Sequence, residues 1–331
     1  MEYYIWGAII LATSTLIWLF LKWKKRVILI THSKGYHLDD VFATAVLVTK
    51  IQKEGKFFQI IRTRDEKVFE KWRKERESGR EVYIYDVGRI YCEDKDEFDH
   101  HQKGGAAVRK NGIEYSSAGL VWKKFGEELS GSKEIAWKIE KKLVLAIDAL
   151  DNGQSIYEHK YDFFNYDLTN LIKAYIPIRK KTDLRMKIAF CKSVKLIKFI
   201  LEREIKSVKR ILEDEVKVAN NYKKSEDKRI LIFKEENVSL SSITDKFPSV
   251  IFTISKKASD VWVIETVVKK WGSFDRRKYL PKSWAGMEGY DLDNMSGVVG
   301  GIFCHRGLFI ASAKTEKAAR EMVEIALNNE G

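Results

Sequence analysis

Residues 3–21, YYIWGAIILATSTLIWLFL, form an unbroken uncharged stretch followed by the basic cluster Lys22-Trp23-Lys24-Lys25-Arg26. At about 1.5 Å per helical residue it would span about 28 Å, close to the ~30 Å hydrocarbon core of a bilayer. Trp6, Trp18 and Trp23 fall towards its ends, as interfacial aromatics do. A cleaved signal peptide begins with basic residues and has a shorter apolar core. Here the basic residues follow the core, so the pattern predicts a retained transmembrane anchor. The positive-inside rule places residues 27–331 in the cytosol.

Beyond the anchor the hydrophobic pattern alternates between strand and helix. Val27–Thr31 is a continuous apolar run, as expected of a strand covered on both faces. A helix is predicted from about Asp39 to Lys53, a second strand at 58–62, a charged helix near 66–78 and a third strand at 82–87. Helices at about 116–130 and 133–150 follow. This alternation predicts an α/β domain with a doubly wound, mostly parallel sheet. Between 182 and 224 one long helix is predicted, because Ile188, Cys191, Val194, Ile197, Leu201, Ile205, Val208 and Leu212 recur every three to four positions. Its Lys- and Arg-rich side reads as a solvated face, with an RNA-binding helix as the other reading. From Arg229 onward short strands are predicted at 230–234, 249–254, 261–268, 300–304 and 308–311, closed by a helix at 315–328. The expected organisation is an anchor with its basic flank at 1–26, a larger domain at 27–180, a linking helix at 181–228 and a smaller α/β domain at 229–331.

Composition adds two constraints. The 331-residue chain carries a net charge of +13, which favours anionic partners: nucleic acid, phosphorylated metabolites or an acidic membrane surface. Its three cysteines, Cys92, Cys191 and Cys304, are far apart and form no C-x-x-C pair. Neither a disulfide framework nor a thiolate zinc site follows from that spacing; reduced intracellular conditions fit best, and a metal here is expected to be held by His and carboxylate.

The six histidines are unevenly spread. His32 and His37 follow the first strand in T-H-S-K-G-Y-H-L-D-D, and His100 and His101 lie in D-H-H-Q. In open α/β sheets ligands bind at the carboxyl ends of the strands. His32, His37 and Asp39 lie just past the first strand and Asp86 ends the third, so these groups are expected to converge at one rim. A mixed imidazole and carboxylate set without thiolate suits Mn²⁺ or Mg²⁺. Two such ions about 4 Å apart, bridged by a carboxylate, activate water and stabilise the leaving oxygen of a phosphodiester, and Asp86 is the candidate bridge. The later D-A-L-D-N-G (148–153) reads locally as a helix stop at Asn152-Gly153. Beside the other clusters Asp151 becomes a candidate last ligand, with Asp148 in support behind it.

The ordered set, strand-H-x4-H-x-D, D-V-G (86–88), D-H-H-Q (99–102) and D-A-L-D-N-G, resembles the DHH phosphoesterase superfamily. More closely, with R-T-R-D (62–65), S-S-A-G-L (116–120), L-P-K-S-W-A-G (280–286) and M-S-G-V-V-G-G-I-F-C-H-R-G-L-F-I (295–310), it resembles the melanocyte-proliferating-gene (Myg) exonuclease family. That resemblance implies a DHH-like catalytic domain with a two-metal, Mn²⁺-preferring site and a smaller substrate-binding domain. The activity it implies is a 3′–5′ RNA exonuclease acting in mitochondria and nucleus. Carried over by motif, His32, His37, Asp39, Asp86, His100 and Asp151 are the metal ligands, while Asp99 and His101 orient the site or polarise the scissile phosphate. Lys282, Trp284, His305 and Arg306 are the candidates for holding phosphate and base. Three features differ from the family pattern, the first being the transmembrane anchor, which sets the family's mitochondrial and nuclear assignment against a membrane one. The first loop usually reads H-N-G-x-F-H-x-D-E, so here the glycine has moved one place and Lys34 has entered, and Ala311-Ser312 replaces a common Gly pair. The expected function is metal-dependent phosphodiester hydrolysis on RNA or short oligonucleotides. A small-substrate phosphohydrolase and an inactive RNA-binding tether are the alternatives.

Overall fold

The computed structural model describes residues 23, 25–158, 162, 165–234, 238–257, 261–270 and 272–329. The predicted anchor at 3–21, with Trp6 and Trp18, lies outside the described residues. Among the described residues no helix is long and apolar enough to cross a membrane. The chain divides into two compact units between Val208 and Lys209.

In the first unit a five-stranded sheet has the order β2-β1-β3-β5-β4. Its strands are β1 (Val27–Thr31), β2 (Phe58–Arg62), β3 (Val82–Tyr85), β4 (Tyr91–Cys92) and β5 (Glu97–Phe98). All pairings are parallel except the β4–β5 edge. Every residue of β1 is buried, as its unbroken apolar run requires. Helix α1 (Leu38–Lys53) follows β1, α2 (Glu66–Glu77) follows β2 and α3 (Ser117–Ser130) follows β5. Phe69 and Trp72 of α2 pack on Ile28, Ile30, Val82 and Ile84 on one face. On the other face Phe125 of α3 meets Tyr83 edge-on at 5.7 Å, and Trp122 meets Phe42 of α1 at 6.2 Å. Helices therefore cover both faces, and each large side chain so buried contributes about 1.5–3 kcal/mol.

The predicted helix at 133–150 is continuous but changes pitch. It runs as α4 (Lys133–Ile139), a π-helical turn at Glu140–Val144, and α5 (Leu145–Asp151). A short helix, α6 (Leu168–Lys173), precedes α7 (Asp183–Lys224), which extends past the boundary at Val208. The buried stripe of α7 runs through Met186, Phe190, Val194, Ile197, Leu201, Ile205 and Val208. Ile188 and Cys191, predicted on that stripe, face solvent instead. The ring of Tyr36, 5.6 Å from Phe190, fixes which side turns inward.

The second unit holds another five-stranded sheet, in the order β6-β7-β8-β10-β9. Its strands are β6 (Ile230–Phe233), β7 (Phe252–Lys256), β8 (Trp262–Thr266), β9 (Gly301–Cys304) and β10 (Ile310–Ala313). Only β6–β7 is parallel. One-turn α8 (Ser241–Thr244), α9 (Gly289–Ser296) and α10 (Glu316–Asn328) accompany it. Thr315 caps α10, its hydroxyl accepting from the Ala318 amide at 3.1 Å. Ala319, Met322, Val323 and Ala326 of α10 join the core built on β7, β8 and β10.

Candidate metal centre

Strand order brings the first residues together. The chain leaves β1 towards β2 and returns to place β3 on the other flank of β1, which makes the β1–β3 junction the switch point of the sheet. The parallel register pairs Ile30 with Ile84, so the segments leaving β1 and β3 emerge side by side at the carboxyl edge. His32 and Asp86 occupy those segments, and His32 Nε2 lies 3.1 Å from Asp86 Oδ2. Asp86 adopts φ +54°, a left-handed conformation that Asp tolerates better than most side chains. Its amide donates to the Phe98 carbonyl at 3.3 Å, tying it to the end of β5.

From the end of β5 the chain enters Asp99-His100-His101. The Asp99 carboxylate accepts from the amides of Arg89, His100 and His101 at 2.5, 2.8 and 3.2 Å, and from His101 Nδ1 at 2.7 Å. It thereby organises the tandem histidines. His100 Nε2 lies 3.3 Å from Asp151 Oδ2, 3.6 Å from Asp86 Oδ1 and 3.8 Å from Asp39 Oδ2. The first turn of α1 supplies Asp39 and Asp40. Asp40 Oδ1 accepts from the His37 amide at 2.9 Å, and its Oδ2 lies 3.4 Å from His32 Nε2.

Three trios of ligand atoms result, each within 4.8 Å: His32, Asp40 and Asp86; Asp86, His100 and His101; and His37, Asp39 and Asp151. Asp86 belongs to two of them. The predicted ligands His32, His37, Asp39, Asp86, His100 and Asp151 are thus brought together. Asp40 joins them unpredicted; adjacent acids in a first helical turn were its only signal in the chain.

The charge balance is strained in a way a cation would relieve. Burial pushes the Asp39 carboxyl well above its usual range, helped by the charges of Asp86, Asp151 and Asp40. Burial also lifts Asp40 to about 7, and burial together with Asp86 raises Asp151. Asp86 goes the other way: burial opposes its charge, but the His100 and His32 imidazoles beside it hold it well below the usual carboxylate range. Burial disfavours the charged forms of His32 and His100, yet the Asp86 carboxylate beside both outweighs it and raises them. The bond to Asp99 is the main reason His101 is raised. Both oxygens of Asp39, Oδ2 of Asp40 and Nε2 of His100 are buried without a hydrogen-bond partner. Unsatisfied buried acceptors of this kind are rare, and hard oxygen donors mixed with imidazole fit one or two divalent cations.

Asp148 does not join the cluster. Its Oδ1 accepts from the Ser116 amide at 3.1 Å, the Ser116 hydroxyl at 2.6 Å and the Gly119 amide at 2.9 Å, while Oδ2 pairs with Arg109 Nη1 at 2.6 Å. It satisfies the open amides at the start of α3 and fastens α5 there. The support expected of Asp148 is thus given to the scaffold behind the cluster, through Ser116, Gly119 and Arg109. Arg109, which no local pattern marked, is its ionic partner.

In the second unit Trp284 is 1% exposed and packed in the core, so it offers no face to a base and the expected stacking role is corrected. His305 lies in the β9–β10 turn, where its Nδ1 accepts from the Gly307 amide at 2.8 Å and its ring packs, tilted by 46°, against Phe309 at 4.4 Å. Arg306 at the tip of that turn is exposed, as is Lys282 on the segment that joins it through the Leu280 amide and Leu308 carbonyl.

A mostly parallel α/β sheet carrying buried His and Asp groups at its switch point, placed so that they could hold a divalent ion, fits a metal-dependent hydrolase. The chain belongs to the MYG1 exonuclease family, described as an uncharacterised protein family, whose sequence profile matches residues 28–327. It is similar to the MYG1 protein of Dictyostelium discoideum, 28% identical over 326 residues covering 90% of this chain and 95% of that one. The MYG1 protein of Chlamydia trachomatis serovar D is 28% identical, covering 91% and 96%. The human MYG1 exonuclease is 25% identical, covering 90% and 85%.

Proposed function

We propose that this chain hydrolyses phosphodiester bonds with two divalent cations, Mn²⁺ in preference to Mg²⁺, and removes nucleotides from the 3′ end of RNA. The observation that carries this reading is Asp86, a buried carboxylate common to two ligand trios. Family membership and the name of the human relative support nuclease chemistry. RNA as substrate and the 3′–5′ direction rest on the resemblance of motifs.

His32, Asp40 and Asp86 would hold one ion; Asp39, Asp86, His100 and Asp151, with His37 at the rim, would hold the other. When bound, such a pair supplies an activated water and stabilises the leaving oxygen. Asp86 meets both groups, and the imidazoles beside it favour its charged form. Asp99 holds His101 through Nδ1 and favours its protonated form, from which His101 would donate to a phosphoryl oxygen. Lys282 and Arg306 provide exposed cationic contacts for phosphate in the second unit, with His305 beside them. The uncharged 3–21 stretch and its basic flank support a tether with both units on the cytosolic side, consistent with an organelle surface.

Release of mononucleotides from 3′-end-labelled RNA in the presence of Mn²⁺ tests the reading, and loss of that release in Asp86→Ala is expected. Preference for pyrophosphate or very short oligonucleotides over longer RNA would replace it with a small-substrate phosphohydrolase.

A further inference from the structure

The cluster leaves His100 with two different nitrogens. Its Nε2 is buried among the carboxylates of Asp151, Asp86 and Asp39 without an aligned partner. Its Nδ1 faces the side chain of Asn152, with Oδ1 at 3.3 Å. Asn152 ends α5, one residue after Asp151, and locally reads as nothing more than a helix stop.

The orientation of the Asn152 amide is fixed by its other end. Nδ2 donates to the Asp148 carbonyl at 2.9 Å and to the Glu114 carbonyl at 3.2 Å. Turning the amide over would set its oxygen against two carbonyl oxygens and its NH₂ against the imidazole, losing both bonds. Oδ1 must therefore face His100, and an oxygen without a hydrogen can only accept. The imidazole proton that survives cation binding is then the one on Nδ1, and the nitrogen left bare is Nε2, in the middle of the carboxylates.

We infer that Asn152 is a positioning residue that selects the Nδ1–H tautomer of His100 and so presents Nε2 to the cation. The inference rests on the metal-binding reading of the cluster, and it assigns Asn152 no contact with substrate. Two backbone carbonyls, Asp148 and Glu114, thereby reach the cation site through one side-chain amide. The same α5 terminus that delivers Asp151 as a ligand also sets the ring opposite it.

Mn²⁺ alone, titrated calorimetrically into the full-length protein and its Asn152→Leu variant, tests this. The leucine fills similar space but accepts no hydrogen bond, and removal of such an outer partner typically weakens metal affinity about 10–100-fold. Nitrogen-15 imidazole spectra of the Mg²⁺-loaded protein give a second readout. In the wild type His100 should keep its proton on Nδ1, slow to exchange, and in Asn152→Leu that proton should exchange rapidly. Equal Mn²⁺ affinity in a folded Asn152→Leu protein overturns the inference, as does a loaded wild type with the His100 proton on Nε2. The wild-type spectrum decides alone if the variant does not fold. Wild-type protein that takes up no Mn²⁺ instead removes the metal reading itself, a different result from an intact site indifferent to Asn152.

Discussion

His32 Nε2 sits 3.1 Å from Asp86 Oδ2 across the switch point of the first sheet, joining the segment after β1 to the segment after β3. Asp86 also lies 3.6 Å from His100 Nε2 and 3.5 Å from His101 Nδ1, so one carboxylate serves both sides of the centre. Replacing it by alanine should weaken Mn²⁺ binding by more than the about 10–100-fold typical of an outer-shell change. His37, with a side chain 63% exposed and its nearest carboxylate 3.9 Å away, should be the mildest ligand to remove. Calorimetric titration of Asp86→Ala and His37→Ala checks the order. Equal losses would contradict the central place given to Asp86.

Gly119 is required by the contact that Asp148 makes with α3. A Cβ there would stand 2.0 Å from Asp148 Oδ2 and 2.7 Å from its Cγ, and the carboxylate has no room to retreat because Ser116 and Arg109 hold it. Gly119→Ala should lower stability by about 1–3 kcal/mol through overpacking, with more lost if the Asp148 bonds break. A thermal melt unchanged by this substitution would show that Asp148 does not fasten α5 to α3.

Lys34 occupies a left-handed backbone position, φ +74°, in the loop between His32 and His37. Such a conformation costs a non-glycine residue about 1–2 kcal/mol, and family members usually place glycine here. Lys34→Gly should therefore recover part of that cost and raise the melting temperature. Destabilisation would mean that the lysine side chain is holding the loop.

Glu97 gives a pH dependence away from the metal centre. It is 2% exposed, and although burial opposes its charge, bonds from Arg73 and Arg76 lower its pKa below the ordinary 4.5. A carboxylate with a depressed folded pKa contributes stability that is fully present above its unfolded value. That stability is lost as pH falls through the folded one. Glu97→Gln should thus destabilise the protein at neutral pH, and the gap should close as the pH is taken below 4.5. Urea denaturation of both proteins across that range reads the difference; a gap independent of pH would remove the ionic account.

Much of the centre was legible in the chain because parallel α/β sheets gather residues that follow their strands. His32 and Asp86 needed only the apolar runs before them to be placed at one rim, and tandem His100-His101 followed from the same edge. What stayed hidden depends on distant partners. Asp148 and Asp151 lie one helical turn apart in the same motif. Yet Asp148 is captured by Ser116, Gly119 and Arg109, and only Asp151 reaches the ligands. Asn152 carries the pattern of a helix stop, and its bond to His100 exists only once α5 meets the end of β5. Trp284 resembled an aromatic platform, whereas the second core needed its full apolar surface. On α7 the inward face was set by Tyr36 and Phe190 rather than by periodicity alone, which left Ile188 and Cys191 outside.

Anomalous scattering from crystals soaked in Mn²⁺ would locate any cations among Asp86, His32 and His100. Two ion peaks about 4 Å apart are expected, with Asp86 between them, His32 on one and His100 Nε2 on the other. A single ion without Asp86 as ligand, or no ion among these residues, would contradict that arrangement.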